Sequence, residues 1–490
     1  MAPRRESTER SILLLTALLV LPIAVLRADD TTAVSSSSSH TASVPPGNDT
    51  SQPRTTGSSL PNSPSHSAQQ YSGSSYSKTR DDVVRKEGTT EVGFVQPDVA
   101  SGLINRVTGI EKYGVEAEVR WAMSWNAVFF GGLLPGNWAD ENVGEVKLIG
   151  DLDTMFGWKG GTAQIRFLHR RGSDASALTG DLLTFNGYDN LNQALGELNE
   201  LWVQQDLFEE RFSVLVGKVK INRTFQRTQS ATLFLGNDYE ALPAISAFLP
   251  QNQSTTSGIQ GFVRPNDQFF AGFGFYDGRL GAQGINTGAR GPQFNGNYFY
   301  IGETGVRYTL GSNDLPGRFL VGGWGQSGKL SRFDGGVQNG TAGFFLIHEQ
   351  TIWQEQEHPD QNLAAFFSWS TGDGNVNPFV KGLTAGLQWI GPIPRRDEDV
   401  FGFGLVWAQL TPVMGSASES TQSQLAPRPL PPPFNNDRIT ANEWEWQWYY
   451  WIFVHESLKV QPNLTYIHDP GLSTEIRDPL VFTINVLLDF

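Results

Sequence analysis

Apolar and polar positions alternate with a period of two through most of the chain beyond residue 110, the signature of strands with two unlike faces. In 115–129 one face carries Val115, Ala117, Val119, Trp121, Met123, Trp125, Ala127 and Phe129. The other carries Glu116, Glu118, Arg120, Ala122, Ser124 and Asn126. The pattern returns over 443–452 and again at the C-terminus, where Phe482, Ile484, Val486, Leu488 and Phe490 alternate with Thr483, Asn485, Leu487 and Asp489. A helix would scatter these positions around a cylinder. About 16 such stretches are predicted, near 115–129, 144–153, 161–170, 196–206, 211–221, 256–264, 267–275 and 300–310, then 317–326, 341–353, 361–370, 379–390, 400–410, 440–453, 457–468 and 480–490. Connections after odd-numbered strands are predicted long and those after even-numbered strands short, with the one near 371–378 as the exception.

Two architectures use many amphipathic strands. A soluble sandwich hides its apolar face in a core, and its loops need not alternate in length. A membrane barrel turns that face to lipid, with short turns on one side and long loops on the other. Trp121, Trp125, Trp389, Trp444, Trp446 and Tyr466 fall near strand ends, where interfacial girdles lie. The opposite face carries Glu, Gln, Asn, Arg and Thr, which suits a wet lumen. The fold class expected is therefore all-β, a 16-stranded antiparallel transmembrane β-barrel. Backbone groups in lipid must be paired internally, so the sheet closes. At 16 to 18 strands it encloses an aqueous channel rather than a packed core. The connection at about 222–255 contains Phe225, Leu233, Phe234, Leu235, Ile245 and Phe248, too apolar to sit in water. It is predicted to fold inward as a constriction loop.

The N-terminus reads differently. Residues 1–28 match a secretory signal, with Arg4, Arg5 and Arg10 before the apolar stretch Ile12 to Leu26 and Ala28 at the cleavage point. Residues 29–90 are rich in Ser, Thr and Pro and cannot bury enough surface to offset their ordering entropy, so they form a disordered periplasmic tether. The barrel takes 91–490. No apolar run near 18 residues occurs past the N-terminus, which argues against a helical bundle. Of 490 residues, 50 are acidic and 36 basic, and no cysteine is present. That balance disfavours nucleic acid as a partner, and the lack of cysteine excludes disulfides and thiolate sites.

Four segments carry a family resemblance: FGWKGGTAQIRFLHRRG (156–172), LNELWVQQDLFEERFSVLVGKVKINRTF (198–225), DLPGRFLVGGW (314–324) and VQPNLTYIHDPG (460–471), with the closing strand 480–490. Together they resemble the carbohydrate-selective (OprB-type) porins of bacterial outer membranes. The resemblance implies facilitated diffusion of small sugars through a 16-stranded pore in the outer membrane.

Sugars present hydroxyl edges, which suit charged and amide side chains, and C–H faces, which suit aromatic rings. Pore-lining candidates on the polar faces are Glu116, Glu118 and Arg120, then Lys147 and Asp151, Gln164 and Arg166, and Glu200, Trp202 and Gln204. The inward loop adds Arg223, Arg227, Asp238 and Tyr239. Trp202 stands out, an aromatic on an otherwise polar face. Catalytic and metal signatures are lacking. The pairs Glu116/Glu118 and Glu443/Glu445 have carboxylate spacing but recur as ordinary lumen positions, and His348-Glu349 lacks the second His of a zinc helix. No enzyme, cofactor or metal is expected. Expected partners are membrane lipid and small sugars, with the barrel-assembly machinery meeting the C-terminal Phe490 and a homo-oligomer compatible with the fold. A general diffusion porin, a membrane-barrel enzyme and an exported carbohydrate-binding sandwich are the alternatives.

Overall fold

The computed structural model describes residues 102–188, 195–250, 255–278, 294, 296–411, 441–472 and 476–490. The expected signal sequence 1–28 and tether 29–90 lie outside the described residues. Sixteen antiparallel strands follow one another around a closed barrel. They are β1 (Val115–Phe130), β2 (Trp138–Asp151), β3 (Gly161–Gly172), β4 (Leu195–Leu207), β5 (Phe212–Val219), β6 (Thr256–Val263), β7 (Phe269–Asp277) and β8 (Tyr298–Leu310). The second half contains β9 (Leu315–Ser331), β10 (Val337–Gln354), β11 (Asn362–Thr371), β12 (Phe379–Ile390), β13 (Val400–Leu410), β14 (Asn442–His455), β15 (Leu458–His468) and β16 (Leu480–Asp489). Each strand pairs with its neighbours in sequence, and β1 pairs with β16 to remove the last free edge. That closure satisfies every strand in a solvent that offers no hydrogen bonds.

Alternation sets the two faces as predicted. Trp121, Trp125, Phe129, Val146, Leu148, Phe167, Leu201 and Val203 point outward, while Glu118, Ser124, Asn126, Lys147, Arg166 and Glu200 are buried on the inside. The register sets opposite charges across from each other: Glu118 against Lys147, Arg166 against Glu200, Arg120 against Asp489. Such pairs favour this register over its neighbours. On the outside, Trp369, Trp407, Trp444, Trp446 and Tyr466 form a continuous row with ring centroids 5.6 to 5.8 Å apart.

The strict alternation of loop length is corrected. β2 begins at Trp138, β9 runs to Ser331 and β10 begins at Val337, so the connections 131–137 and 332–336 are short. The polar run 140–142 hides the start of β2, yet the ladder continues through it, with Trp125 opposite Asp140 and Ala127 opposite Trp138. Polar residues do not stop antiparallel pairing beyond the lipid. The long connections are 173–194, 220–255, 278–297 and 411–441.

A short helix, Gly102–Thr108, precedes β1. The Asn105 side chain accepts from Ala117 N and donates to Ala117 O (3.0 and 3.2 Å), tying it to the first strand. The inner face is not uniformly polar. Phe262, Phe270, Tyr276, Phe299, Ile301, Leu320, Trp324, Phe345 and Ile347 line one arc from β6 to β10 and are all buried. Something apolar must cover them, and its position defines the channel.

Candidate functional site

The cover is the connection between β5 and β6. Its Phe225, Leu242, Ile245, Phe248 and Leu249 pack on the β5–β10 arc, and its Leu233, Phe234 and Tyr239 pack on β11–β14. The expected inward fold is found. Hydrogen bonds pin the segment around the wall. Gln226 N donates to Glu303 on β8 (2.8 Å), Ser230 N to Glu349 on β10 (2.8 Å) and Leu235 N to Gln447 on β14 (2.8 Å). Gln461 on β15 donates to Leu233 O (2.7 Å), and Asn377 to Ala244 O (2.5 Å). Arg318 on β9 completes Glu349 (Nε to Oε2, 3.0 Å). Gly404 on β13 makes room for the turn: a Cβ there would lie 2.5 Å from the Phe234 ring and 2.6 Å from the Tyr239 ring.

A second insertion, 173–188, was not foreseen. Glu443 on β14 accepts from Leu182 N and Leu183 N (both 2.9 Å) and from Gly471 N (2.7 Å). Asn186 donates to Asn126 on β1 (3.1 Å). The two insertions also bond to each other, Gly187 N to Leu235 O (2.6 Å) and Asn237 N to Thr184 O (2.9 Å). Its apolar residues, Leu178, Leu182, Leu183 and Phe185 among them, are interspersed with Ser, Thr, Gly, Asp and Asn, which is why its sequence reads as an ordinary loop.

Opposite the insertions, β1–β4 present a polar wall. Arg166 on β3 pairs with Glu145 on β2 and with Glu200 on β4 (3.2 Å). Arg223, at the root of the inserted segment, reaches Glu200 (2.6 Å) and Gln164 (3.2 Å). Lys220 pairs with Glu240 across the segment (2.6 Å). Arg120 and Lys459 share Asp489 (both 2.7 Å). Glu200 and Asp489 are wholly buried, whereas the side chains of Arg120 (20%), Glu145 (16%), Arg223 (21%) and Glu240 (41%) are partly open. The open members mark the water-filled side of the network. Tyr188, at the end of the second insertion, accepts from Asn485 (3.4 Å).

A polar wall facing an inserted segment in a 16-stranded barrel is a constricted pore. The family model for carbohydrate-selective porins, OprB family, matches residues 143–490. The chain belongs to that family. The high-pH structure of Pseudomonas putida OprB is similar in fold, with a TM-score of 0.68 at 16% identity, covering 82% of this chain and 99% of that one. The low-pH structure of the same protein gives 0.49 at 14% identity over 82% and 100% of the two chains. A Vibrio cholerae OmpT lacking loop L8 gives 0.43 at 8% identity over 77% and 99%. No curated protein matches. This OprB-family chain is an outer-membrane porin that passes small carbohydrates by facilitated diffusion.

Within the porin, the predicted site residues separate into groups. Arg120, Arg166, Glu200 and Arg223 meet in the wall network, and Arg227 is half-buried on the inserted segment, its carbonyl bonded by Arg318. Gln164 supports Arg223. Glu116 is half-buried on β1 opposite Ile149, toward the chain-terminal end of the barrel. Glu118 and Lys147 close on each other as a buried pair (2.5 Å). Gln204 turns to Asp206 (3.0 Å). Four expectations are corrected. Asp151 caps the helix Leu152–Phe156, accepting from Asp153 N (3.1 Å) and Thr154 Oγ1 (2.6 Å), so it serves a turn rather than the pore. Asp238 and Tyr239 are buried between the segment and the wall. Trp202 is 2% exposed, in a cluster with Leu215, Val219 and Ile221, beneath the inserted segment. An aromatic on the inner face proved to be a packing residue. Trp202→Ala is therefore expected to cost about 3–5 kcal/mol of stability, read as a lower temperature of heat-modified gel mobility, with sugar block of ion current little changed. Glu145, Tyr188, Lys220, Glu240 and Asp489 were missed. Glu145 alternates with Lys147 and was available to the pattern, whereas Lys220 and Glu240 become wall residues only through the fold of the segment.

Among the described residues, His468, Asp469 and Asp478 form the one group with metal-ligand proximity. Asp478 already accepts from Tyr466 Oη (2.6 Å) and Asp469 N (3.1 Å) and bonds His468 Nδ1 (2.8 Å). These bonds close the ends of the β15–β16 connection, which explains the cluster without an ion.

Proposed function

We propose that sugars cross between the polar wall of β1–β4 and the inserted segment, making their contacts with Arg120, Glu145, Tyr188, Lys220, Arg223, Arg227 and Glu240. The observation that carries this reading is the partly open ion-pair network on the wall. Arg120 lies near Glu145 and Tyr188, and Tyr188 near Glu240, which supports a single shared path. Paired charges offer both donors and acceptors to a hydroxyl without strongly favouring one ion. Tyr188 adds a ring face for sugar C–H groups. Passage is then an exchange of water for side-chain hydrogen bonds, with no bond made or broken. A passive channel without catalytic chemistry accounts for the Glu443/Glu445 pair, since Glu443 is occupied by backbone donors.

Loss of one partly exposed hydrogen bond costs about 0.5–1.5 kcal/mol. Glu240→Gln and Arg223→Ala should each weaken sugar block of ion current about two- to tenfold on that basis. Unchanged block in both variants would put the sugar path elsewhere. Swelling of proteoliposomes with sugars of graded size separates sugar preference from general diffusion. For the rest of the chain, we propose a cleaved signal at 1–28, a periplasmic tether at 29–90 and the barrel domain at 91–490. Phe490, whose N–H bonds Val119 O (2.9 Å) at the β1–β16 seam, is a suitable contact for the assembly machinery. The outer aromatic row is compatible with association into a homo-oligomer.

A further inference from the structure

The seat of the inserted segment is unusually acidic. Asp238 lies in the short helix Asn237–Glu240, Glu445 and Glu443 lie on β14, and Asp181 lies on the second insertion; all four are buried. Glu443 is satisfied by three backbone N–H groups. Asp181 accepts from Ser176 Oγ (3.1 Å), Thr179 Oγ1 and Phe185 N (3.0 Å). Glu445 Oε1, Asp238 Oδ1 and Tyr239 Oη have no hydrogen-bond partner among the described residues.

Among the described residues, the elements packed around this point bring no compensating cation. β14 contributes Glu443, Glu445 and Tyr449, and the second insertion contributes Asp181. The helix itself carries Tyr239 and Glu240, the latter turned to Lys220. β12 supplies Thr384, which donates to Asp238 O (3.3 Å), and β13 supplies Gly404 and the apolar Val406 and Ala408. A carboxylate buried without donor or cation is strongly disfavoured as an anion. As a neutral acid it gains an O–H donor, which neighbouring oxygens can accept.

We propose that Asp238 and Glu445 form a proton-loaded clasp: both sit as neutral acids where the constriction segment meets β14, and loss of their protons releases the segment. The proposal rests on the reading that this segment narrows the pore, and it assigns the two acids as positioning residues. The direction of the effect follows from linkage. Burial, then Glu443 and Asp181, hold the Asp238 carboxyl well above the ordinary carboxylate range. The seated state therefore binds protons that the released state gives up. For Asp238, seating is strongest at and below the ordinary carboxylate range and weakens as pH rises above it, up to tenfold per pH unit, until the seated acid itself ionises.

Single-channel recordings of the full porin between pH 5 and pH 9 test this. The wild type is expected to populate a larger-conductance level increasingly as pH rises. Asp238→Asn and Glu445→Gln each keep the shape of a neutral acid and should each reduce the slope, and the double variant should flatten it. A wild-type level independent of pH, or variants that follow the wild-type slope, would overturn the clasp. So would a response abolished by Glu240→Gln and retained by Glu445→Gln, because the titrating group would then lie in the channel wall. Excision of 229–249 distinguishes the two levels of the argument. If excision leaves conductance unchanged, the constriction reading fails. If it raises conductance while the acid variants titrate like wild type, the clasp alone fails.

Discussion

Excising residues 229–249 and bridging the gap with a flexible Gly-Ser linker is expected to raise single-channel conductance, on the order of twofold, because a 16-stranded barrel is an open channel wherever nothing fills it. The narrowest stretch dominates the resistance of a pore, and this segment crosses the lumen from β5 to the far wall. Its bonds to Glu349, Gln447, Gln461 and Asn377 would be lost together, along with the packing of Phe234, Tyr239, Ile245 and Phe248. The barrel should survive, since every strand is paired to two others and none of those ladders uses residues 229–249. Newly wetted Phe299, Trp324 and Phe345 would lower stability without opening the sheet. Folding is checked by heat-modified mobility and conductance in planar bilayers. An intact barrel with unchanged conductance would shift the constriction to the second insertion, 173–188.

The barrel was legible because its chemistry repeats. Sixteen period-two stretches predict sixteen strands, and the observed β12 (Phe379–Ile390) and β13 (Val400–Leu410) coincide with the predicted ranges. Where a strand outran its pattern, as β2 does through Asp140 and Glu141, the cause was polar residues that keep their ladder partners beyond the lipid. Loop 220–255 was legible for a different reason. Phe225, Leu233, Phe234 and Phe248 have too much apolar surface for water, and the lumen was the nearest place to hide it.

The site was legible only in part, because inward orientation is a property of one strand while exposure is a property of the whole interior. Arg166 and Glu200 could be placed on the inner face by alternation, and they do line the network. Trp202 could be placed there equally well, but nothing local shows that Ile221 and its neighbours cover it. Conversely, Phe345 and Ile347 break the rule that inner positions are polar, because the inserted segment makes that arc a core. Lys220 and Glu240 are 20 residues apart in sequence, and their ion pair depends on the return path of the segment. The polarity of an inner position thus reports what the segment leaves uncovered, and that is settled by tertiary packing rather than by periodicity.

Glu200→Ala should produce a large loss of stability together with a change in ion selectivity. Glu200 is fully buried and its carboxylate holds four groups: Arg166 (3.2 Å), Arg223 (2.6 Å), the backbone N–H of Lys220 (3.1 Å) and the Gln164 amide (3.4 Å). Removing one partner of a buried pair leaves charge without compensation and costs about 3–5 kcal/mol. The lower end applies, because Arg166 retains Glu145 and Arg223 is partly open to water. The same change frees two guanidinium groups beside the passage, so reversal potentials should move toward anions at low salt and return toward wild type as salt screens them. Glu200→Gln keeps acceptor oxygen at the same place. It should recover part of the stability while retaining the shift in selectivity, since the negative charge is still absent. A variant that loses stability with unaltered reversal potential would show that Arg166 and Arg223 turn away from the permeating ions. In that case the wall network acts as a brace for the root of the inserted segment rather than as a contact surface for what passes.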